Sequence, residues 1–399
     1  MSSALTGALD GLRVIEMGQL IAGPFCGQLL GDMGAEIIKI EAPGAGDPMR
    51  GWGHGGHGLW WQVIARNKQA VSIDLRVADG QALARRLIAT ADILIENFRP
   101  GTLEKWGMAP EVLHAENPGL IVVRVSGYGQ TGPYAARAGF GGIGEAMGGW
   151  RAIVGDADRP PSRMGVSIGD SLAATYGCLG ALAALRHREM TGEGQIVDSS
   201  LFESVLAMME SLVPDFAATG HVRQRSGSIL PGIAPSNVYP ASDGDYLIGA
   251  NQDQVFARLC TAMGRADLAG DARFAGHAAR GVHQSDLDAI IAEWTGKRTI
   301  AEIEALMIAN GVPAGRLYGP ADMLDDPHFA ARDAITTVPH QVWGTVMMQN
   351  VVPKLSRTPG GVRRAAPAAV GQDNRAVLSA LGMTDAEIAA LMASGVVGD

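Results

Sequence analysis

The sequence predicts an α/β fold: a parallel sheet of doubly wound type, followed by a smaller α+β unit. Three observations carry that prediction. Short apolar runs of strand character alternate with helical periodicity as far as Ser126. Glycine-containing turns bound those runs. Composition then shifts at residues 220–235 (GHVRQRSGSILPGIAP), a polar loop rich in glycine and proline that opens a second pattern.

Residues 11–17 (GLRVIEM) read as a buried strand, 22–33 as a helix and 36–42 (EIIKIEA) as a second strand. Strand, helix and strand in about thirty residues make a βαβ unit, which implies parallel strands and a right-handed crossover. Residues 70–75 read as a third strand, and 80–90 as a helix with Leu83, Leu87 and Ile88 on its apolar face. Two more strands are expected at 92–98 (DILIENF) and 120–126 (LIVVRVS). A helix over 172–188 and a strand within 192–199 follow, then a strongly apolar helix over 201–212 whose Met208 and Met209 should pack the core. In the second unit, residues 237–250 predict a hairpin turning at Asp243 and Gly244, with helices at 254–263, 284–295 and 299–310. Short strands, including 343–350, and helices at 374–381 and 384–394 complete the chain, the last with Thr384 and Glu387 at capping-box spacing.

A chain of 399 residues with 47% hydrophobic and 18% charged residues can bury the cores of two folded domains. Its 54 glycines form no repeat, so they mark tight turns and close backbone approaches, which suits wrapping a large ligand. A net charge of −9 argues against nucleic acid as a partner. A polyanionic ligand would instead be held by local Lys and Arg residues and by helix N-termini. Cys26, Cys178 and Cys260 lie far apart in apolar settings, so they are expected to be buried thiols in a reducing compartment. The first ten residues lack a signal-peptide pattern, and no apolar run nears the length of a membrane span. The expectation is a cytoplasmic protein with no membrane partner.

Several chemistries lack their motif. After the first strand the chain reads GQLIAGP, whose spacing is wrong for a dinucleotide fingerprint, and there is no phosphate-binding loop. His54 and His57 sit in a glycine-rich loop and read as a solvated turn, so no metal is expected. No Gly-x-Ser-x-Gly elbow occurs, and no histidine is placed to activate a cysteine. What remains is residues 165–180 (GVSIGDSLAATYGCLG), where Asp170 stands between a glycine-broken turn and a run of small residues that reads as a buried helix. Asp170 could cap a helix starting at Ser171, or a ligand could reach its carboxylate. Both readings can hold together, because a helix N-terminus favours the ionised form that a nucleophile needs.

Residues 11–50 (GLRVIEMGQLIAGPFCGQLLGDMGAEIIKIEAPGAGDPMR), 66–76 (RNKQAVSIDLR), 91–107 (ADILIENFRPGTLEKWG) and 192–204 (GEGQIVDSSLFES) resemble the family III CoA-transferases. That family includes formyl-CoA transferase, carnitine CoA-transferase and succinyl-CoA-dependent dicarboxylate transferases, with α-methylacyl-CoA racemase as a relative. The matching blocks run in order through the whole chain. The resemblance implies an interlocked, ring-like homodimer with a Rossmann-like large domain built from residues 1–220 and 326–399 and a smaller domain over 221–325. It implies CoA or an acyl-CoA as substrate, no tightly bound cofactor, and an aspartate that attacks the thioester, matched by motif to Asp170. For CoA it implies contacts from Ile21 and Ala22, from Leu75 and Arg76 near the adenosine, and from Asn97, Phe98 and Arg99 along the diphosphate and pantetheine. Lys105 falls where formyl-CoA transferase has an arginine, and Ala42 stands at another such place. Arg137 and Phe140 lie in the segment that covers the cofactor.

The racemase relative carries a His-Asp pair after that segment, whereas residues 138–142 here read AGFGG, with no proton shuttle. Formyl-CoA transferase has four successive glycines in its active-site loop. Here the loop is SGSILPGI (226–233), with Gly227, Ser228 and Gly232 as its substrate-loop residues. The departure favours succinyl-CoA-dependent transfer to a dicarboxylic or hydroxy acid. Formyl-CoA:oxalate-type transfer and 2-methylacyl-CoA racemisation are the alternatives within the family. A non-enzymatic CoA-binding protein and an NAD-dependent dehydrogenase are the readings from other classes. A second carboxylate on the acceptor would need a cation, for which Arg50, Arg163, Arg223 and Arg225 are candidates.

Overall fold

Strands β1 (Arg13–Glu16), β2 (Glu36–Glu41), β3 (Lys68–Ser72), β4 (Ile93–Glu96), β5 (Ile121–Ser126) and β6 (Ile196–Ser200) form one sheet in the order β3-β2-β1-β4-β5-β6. All five pairings are parallel. The computed structural model describes residues 7–398. Residues 7–150, 164–215 and 328–398 make one compact unit, and 151–163 with 216–327 make the other.

Strands β4 and β5 are buried at every position, as expected of parallel strands covered on both faces. On one face lie Leu83, Leu87 and Ile88 of the helix Ala78–Ile88, with Val377, Leu378 and Ile388 from the two closing helices. On the other lie Ala22, Cys26 and Leu30 of the helix Ala22–Asp32, with Ala173, Ala174, Ala181 and Ala184 of the helix Ile168–Thr191. The result is a three-layer α/β unit with its core split by the sheet. Its chain order is the doubly wound one, so the strand order reverses between β1 and β4.

In the second unit, β7 (Ser236–Ala241) and β8 (Gly244–Gly249) form the hairpin, joined by β9 (Ala314–Arg316). Tyr239, Tyr246, Phe256, Phe274, Leu287 and Ile291 fill its core. Back in the first unit, β10 (Ile335–His340) and β11 (Gly344–Gln349) pair antiparallel, and Thr384 and Glu387 form the expected capping box.

Several expectations need correction. The third strand is Lys68–Ser72, because Asp74 turns the chain by accepting from the Arg76 N–H at 2.9 Å. The hairpin loop residues are Ser242 and Asp243, one position earlier than expected, and Asp243 Oδ1 accepts from the Ile300 N–H. The apolar run 201–212 is broken into Leu201–Leu206 and Leu212–Thr219, with Glu210 in the left-handed region between them at φ 50°. Met209 is buried there, but Met208 is 44% exposed. The helix Ile168–Thr191 has 24 residues and is long and apolar enough to cross a membrane by length and composition, against the expectation that no run would be. One side of it packs closely on the sheet: a Cβ on Gly180 would overlap Val197, and one on Gly177 would lie 3.2 Å from Val123.

Candidate active site

In an open parallel sheet, ligands bind beyond the carboxyl ends of the strands where the order reverses. Here that point lies between β1, which runs through Gly18 into the helix Ala22–Asp32, and β4, which runs into Asn97 and Phe98. Gly18 and Gly23 meet backbone to backbone: a Cβ on Gly18 would lie 3.1 Å from Gly23 Cα and 3.0 Å from Asn97 Oδ1. This closeness lets Asn97 clamp Gln19. The Gln19 N–H donates to Asn97 Oδ1 at 2.8 Å, and Asn97 Nδ2 donates to the Gln19 carbonyl at 2.9 Å.

A cavity of about 250 Å³ opens at this point, lined by residues 19–22, Trp52, Asn97 and Phe98, by Ser126, Gly127, Gly139 and Phe140, and by Asp170. A larger cavity of about 650 Å³ lies against Arg50, Trp61, His340 and Arg364. Size does not make it the site, because its cations are engaged. Arg50 pairs with both Glu41 oxygens at 2.7 Å and donates to the carbonyls of Pro367, Ala368 and Ala369. Arg364 pairs with Asp373 at 2.6 Å.

Asp170 is the third residue of its helix, not the cap before Ser171. The helix starts at Ile168 because the Ser171 N–H already donates to the Ser167 carbonyl at 3.1 Å. The first turn of a 24-residue helix stabilises an ionised carboxylate through its exposed N–H dipoles. Gly141, the first residue of the helix Gly141–Met147, packs against the carboxylate, and a Cβ there would overlap Asp170 Oδ2. Gly169 in turn packs on the Gly141 carbonyl, 3.0 Å from where its own Cβ would sit. Two helix N-termini thus meet, glycine to glycine, at Asp170. Gly141→Ala is expected to leave thermal stability nearly unchanged, because the displaced atom ends a rotatable side chain. On the reading, proposed below, that this carboxylate is the nucleophile, it should lower turnover about a hundredfold by turning the carboxylate aside. Parallel melting curves and steady-state rates check this.

Buried charges fix the walls. Glu16, Lys39, Asp47 and Lys68 are each at most 2% exposed. Lys39 Nζ lies 3.0 Å from Glu16 Oε1 and 2.8 Å from Asp47 Oδ2, and donates to the Gly18 carbonyl at 2.7 Å. Lys68 Nζ donates to Glu16 Oε2 and to the Pro24 carbonyl, both at 2.6 Å. Burial works to lower the Lys39 pKa, but Glu16, Asp47 and Glu41 together hold it above the usual lysine value. Burial dominates at Lys68 and pulls its pKa down. On the β4 side, Arg124 pairs with Glu96 at 2.7 Å, and Glu96 accepts from the Phe98 N–H at 2.7 Å. Burial raises the Glu96 pKa despite that pairing.

Of the residues singled out in the sequence, Asp170, Ile21, Ala22, Asn97, Phe98 and Phe140 converge on the cavity. Leu75, Arg76, Arg99, Lys105 and Arg137 lie outside its lining. Leu75 is partly buried against the core of the sheet. The exposed Arg76 is paired with Asp74 at 2.7 Å. Arg99 and Lys105 are exposed, and Arg137 stacks over the Tyr134 ring at 3.5 Å. Gly227, Ser228 and Gly232 belong to the second unit, where Ser228 Oγ donates to Asn237 Oδ1 at 2.6 Å and the Gly232 N–H donates to Gln284 Oε1 at 3.3 Å. Arg225 also lies there and donates to the carbonyls of Asp156, Ala157 and Arg159. Sequence reasoning missed Gln19, Leu20, Trp52, Ser126 and Gly127. For four of them the signal was present: they follow β1 or end β5, where a doubly wound sheet places its ligand.

Cys26 and Cys260 are buried as expected, while Cys178 is only partly so. Burial holds the Cys26 thiol well above its usual range and pushes Cys178 and Cys260 each up to about 11. At neutral pH all three are thiols rather than reactive thiolates. Iodoacetamide at pH 7 is therefore expected to alkylate them only after unfolding, as peptide mass spectrometry would register.

The chain matches CoA-transferase family III over residues 9–374. Succinyl-CoA--D-citramalate CoA-transferase of Chloroflexus aurantiacus is 57% identical over 394 residues, covering 98% of either chain. The beta subunit of succinyl-CoA--L-malate CoA-transferase from the same organism is 42% identical, over 95% of this chain and 96% of that one. The crystal structure of a CAIB/BAIF family protein from Brucella suis has a TM-score of 0.83 at 34% identity, covering 94% of this chain and 100% of that one. Motif order, sheet topology and whole-length similarity agree, and the chain belongs to CoA-transferase family III.

Proposed function

We propose that this protein moves CoA from succinyl-CoA to a dicarboxylic or hydroxy acid, with Asp170 as the nucleophile. The observation that carries the reading is that, among the described residues, Asp170 is the one ionisable side chain lining the switch-point cavity. The acceptor class rests on the relatives, whose named acceptors, D-citramalate and L-malate, are hydroxy dicarboxylates.

An Asp170 carboxylate oxygen adds to the thioester carbonyl. The C–S bond breaks, giving a mixed aspartyl–succinyl anhydride and CoA thiolate. The thiolate attacks the aspartyl carbonyl and expels succinate, leaving an aspartyl-CoA thioester. The acceptor carboxylate then attacks that thioester, forming a second anhydride and freeing the thiolate again. Attack of the thiolate on the acceptor carbonyl releases the new acyl-CoA and restores Asp170. Each step exchanges one activated acyl bond for another, so splitting the exchange lowers each barrier. An ionised carboxylate needs no general base, which accounts for a site built without a histidine. Backbone N–H groups at the two helix N-termini supply dipoles for the oxyanions. No metal or tightly bound cofactor takes part in this scheme.

In the same reading, Ile21, Ala22, Asn97 and Phe98 seat the pantetheine end of CoA, and Phe140 covers it. Leu75 and Arg76 meet the adenosine, the exposed Arg99 and Lys105 meet the phosphates, and Arg137 lies with Phe140 in the covering segment. Gly227, Ser228 and Gly232 are the substrate-loop residues of this reading. We place the large CoA-binding domain at both chain ends, with the smaller domain between them. The partner is a second, interlocked copy. Apolar side chains left open on the first unit support this: Ile143, Met147, Leu179 and Leu182 are 42%, 45%, 60% and 40% exposed. We place the protein in the cytoplasm, a setting that suits free Cys26, Cys178 and Cys260.

The test is to supply succinyl-CoA with a panel of acceptor acids and follow the new acyl-CoA by chromatography. Transfer to hydroxy dicarboxylates supports the reading. Transfer only to formate or oxalate, or epimerisation of a 2-methylacyl-CoA without transfer, would overturn it.

A further inference from the structure

Leu20 adopts a left-handed backbone at φ 63°, a conformation that a branched side chain resists. The structure holds it there from outside the turn. One buried ion pair grips both ends: Lys39 Nζ donates to the Gly18 carbonyl at 2.7 Å, and Asp47 accepts from the Leu20 N–H at 3.1 Å through Oδ1 and 3.3 Å through Oδ2. Asn97 bonds the middle residue, Gln19, through both its N–H and its carbonyl. Asp47 also accepts from the Met49 N–H at 2.9 Å and so caps the 3-10 turn Pro48–Gly51, which leads into Trp52. Residues 19–22 and Trp52 are two stretches of the wall that faces the Asp170 cavity, yet Asp47 and Lys39 lie outside that lining.

We infer that Asp47, paired with Lys39, is a positioning residue that stores the strained Leu20 turn and sets the cavity wall against which the acyl group is aligned for Asp170. The kinetic half of this inference rests on the CoA-transfer reading above; the conformational half does not. Strain of this kind persists only where surrounding contacts over-determine it. Here the contacts are a charge pair and an amide clamp, with no ligand required. The turn is therefore already formed before substrate arrives.

The experiment compares wild type with Asp47→Ala, Asp47→Asn and the double variant Asp47→Ala/Leu20→Gly. Hydrogen exchange by mass spectrometry on the unliganded protein is expected to rise in peptides covering residues 17–25 of Asp47→Ala, with the β5 and helix 168–191 peptides unchanged. Turnover of the same variant should fall about tenfold to a hundredfold, with KM for the acyl-CoA within about threefold, because a misaligned wall costs the transition state more than binding. Glycine takes a positive φ unaided, so the double variant should recover at least about fivefold in kcat. If Asp47→Ala does not fold, Asp47→Asn, which keeps an acceptor for the Leu20 N–H, should show a smaller rise in exchange over the same peptides. Unchanged exchange at residues 17–25, a rise spread evenly over the chain, or no recovery with Leu20→Gly would overturn the inference. A wild type that transfers no CoA would instead overturn the functional reading, leaving the exchange data to decide whether Asp47 holds the turn.

Discussion

Asp170→Ala is expected to lower acceptor-CoA formation by at least about a thousandfold while leaving the protein folded and able to bind CoA. The scheme routes every covalent step through that carboxylate, and losing a nucleophile removes the split pathway rather than weakening one contact. Asp170→Asn should be equally inactive, since the neutral amide matches the shape but cannot form the anhydride. CoA affinity, measured by titration calorimetry, should change little, because the residues proposed to seat CoA lie on other segments of the chain. A variant that retained a tenth of the wild-type rate would show that Asp170 only orients substrate.

Glu16→Ala is expected to destabilise the first unit by about 3–5 kcal/mol, the usual cost of removing one partner from a buried ion network. Glu16 is fully buried and is shared by Lys39 and Lys68, which would lose their common carboxylate at once. Lys68 suffers most, because its other bond is to the neutral Pro24 carbonyl. Glu16→Gln should cost less, since it keeps an acceptor for one ammonium. Urea unfolding of the three proteins measures the difference; a loss under about 1 kcal/mol for Glu16→Ala would mean that the lysines find water or other acceptors.

Much of the sheet was legible in the chain because parallel strands buried on both faces are written as predominantly apolar runs, as in IVVRVS of β5, where only Arg124 and Ser126 are polar. The start of the Asp170 helix was not. Gly165 and Gly169 read as breakers, yet Gly169 is inside the helix because close packing on Gly141 excludes a side chain. The break after Leu206 was hidden for the opposite reason: apolar residues continue into it, although residues 207–211 leave the helix and Glu210 takes a positive φ. β9 escaped notice because three residues carry no periodicity. Within the site, Asp170 could be singled out because other catalytic motifs were missing and its flanking residues were small. The grip of Asp47 and Lys39 on the Leu20 turn could not be read, since it joins residues distant in sequence and depends on a backbone angle that no side chain announces.

The most direct measurement is to expose the wild-type protein to succinyl-CoA, trap with hydroxylamine or borohydride, and map the modified peptide by mass spectrometry. The account predicts modification at Asp170, within the peptide that opens the helix Ile168–Thr191, and none in Asp170→Asn. Modification at any other residue, or none while transfer proceeds, would contradict it.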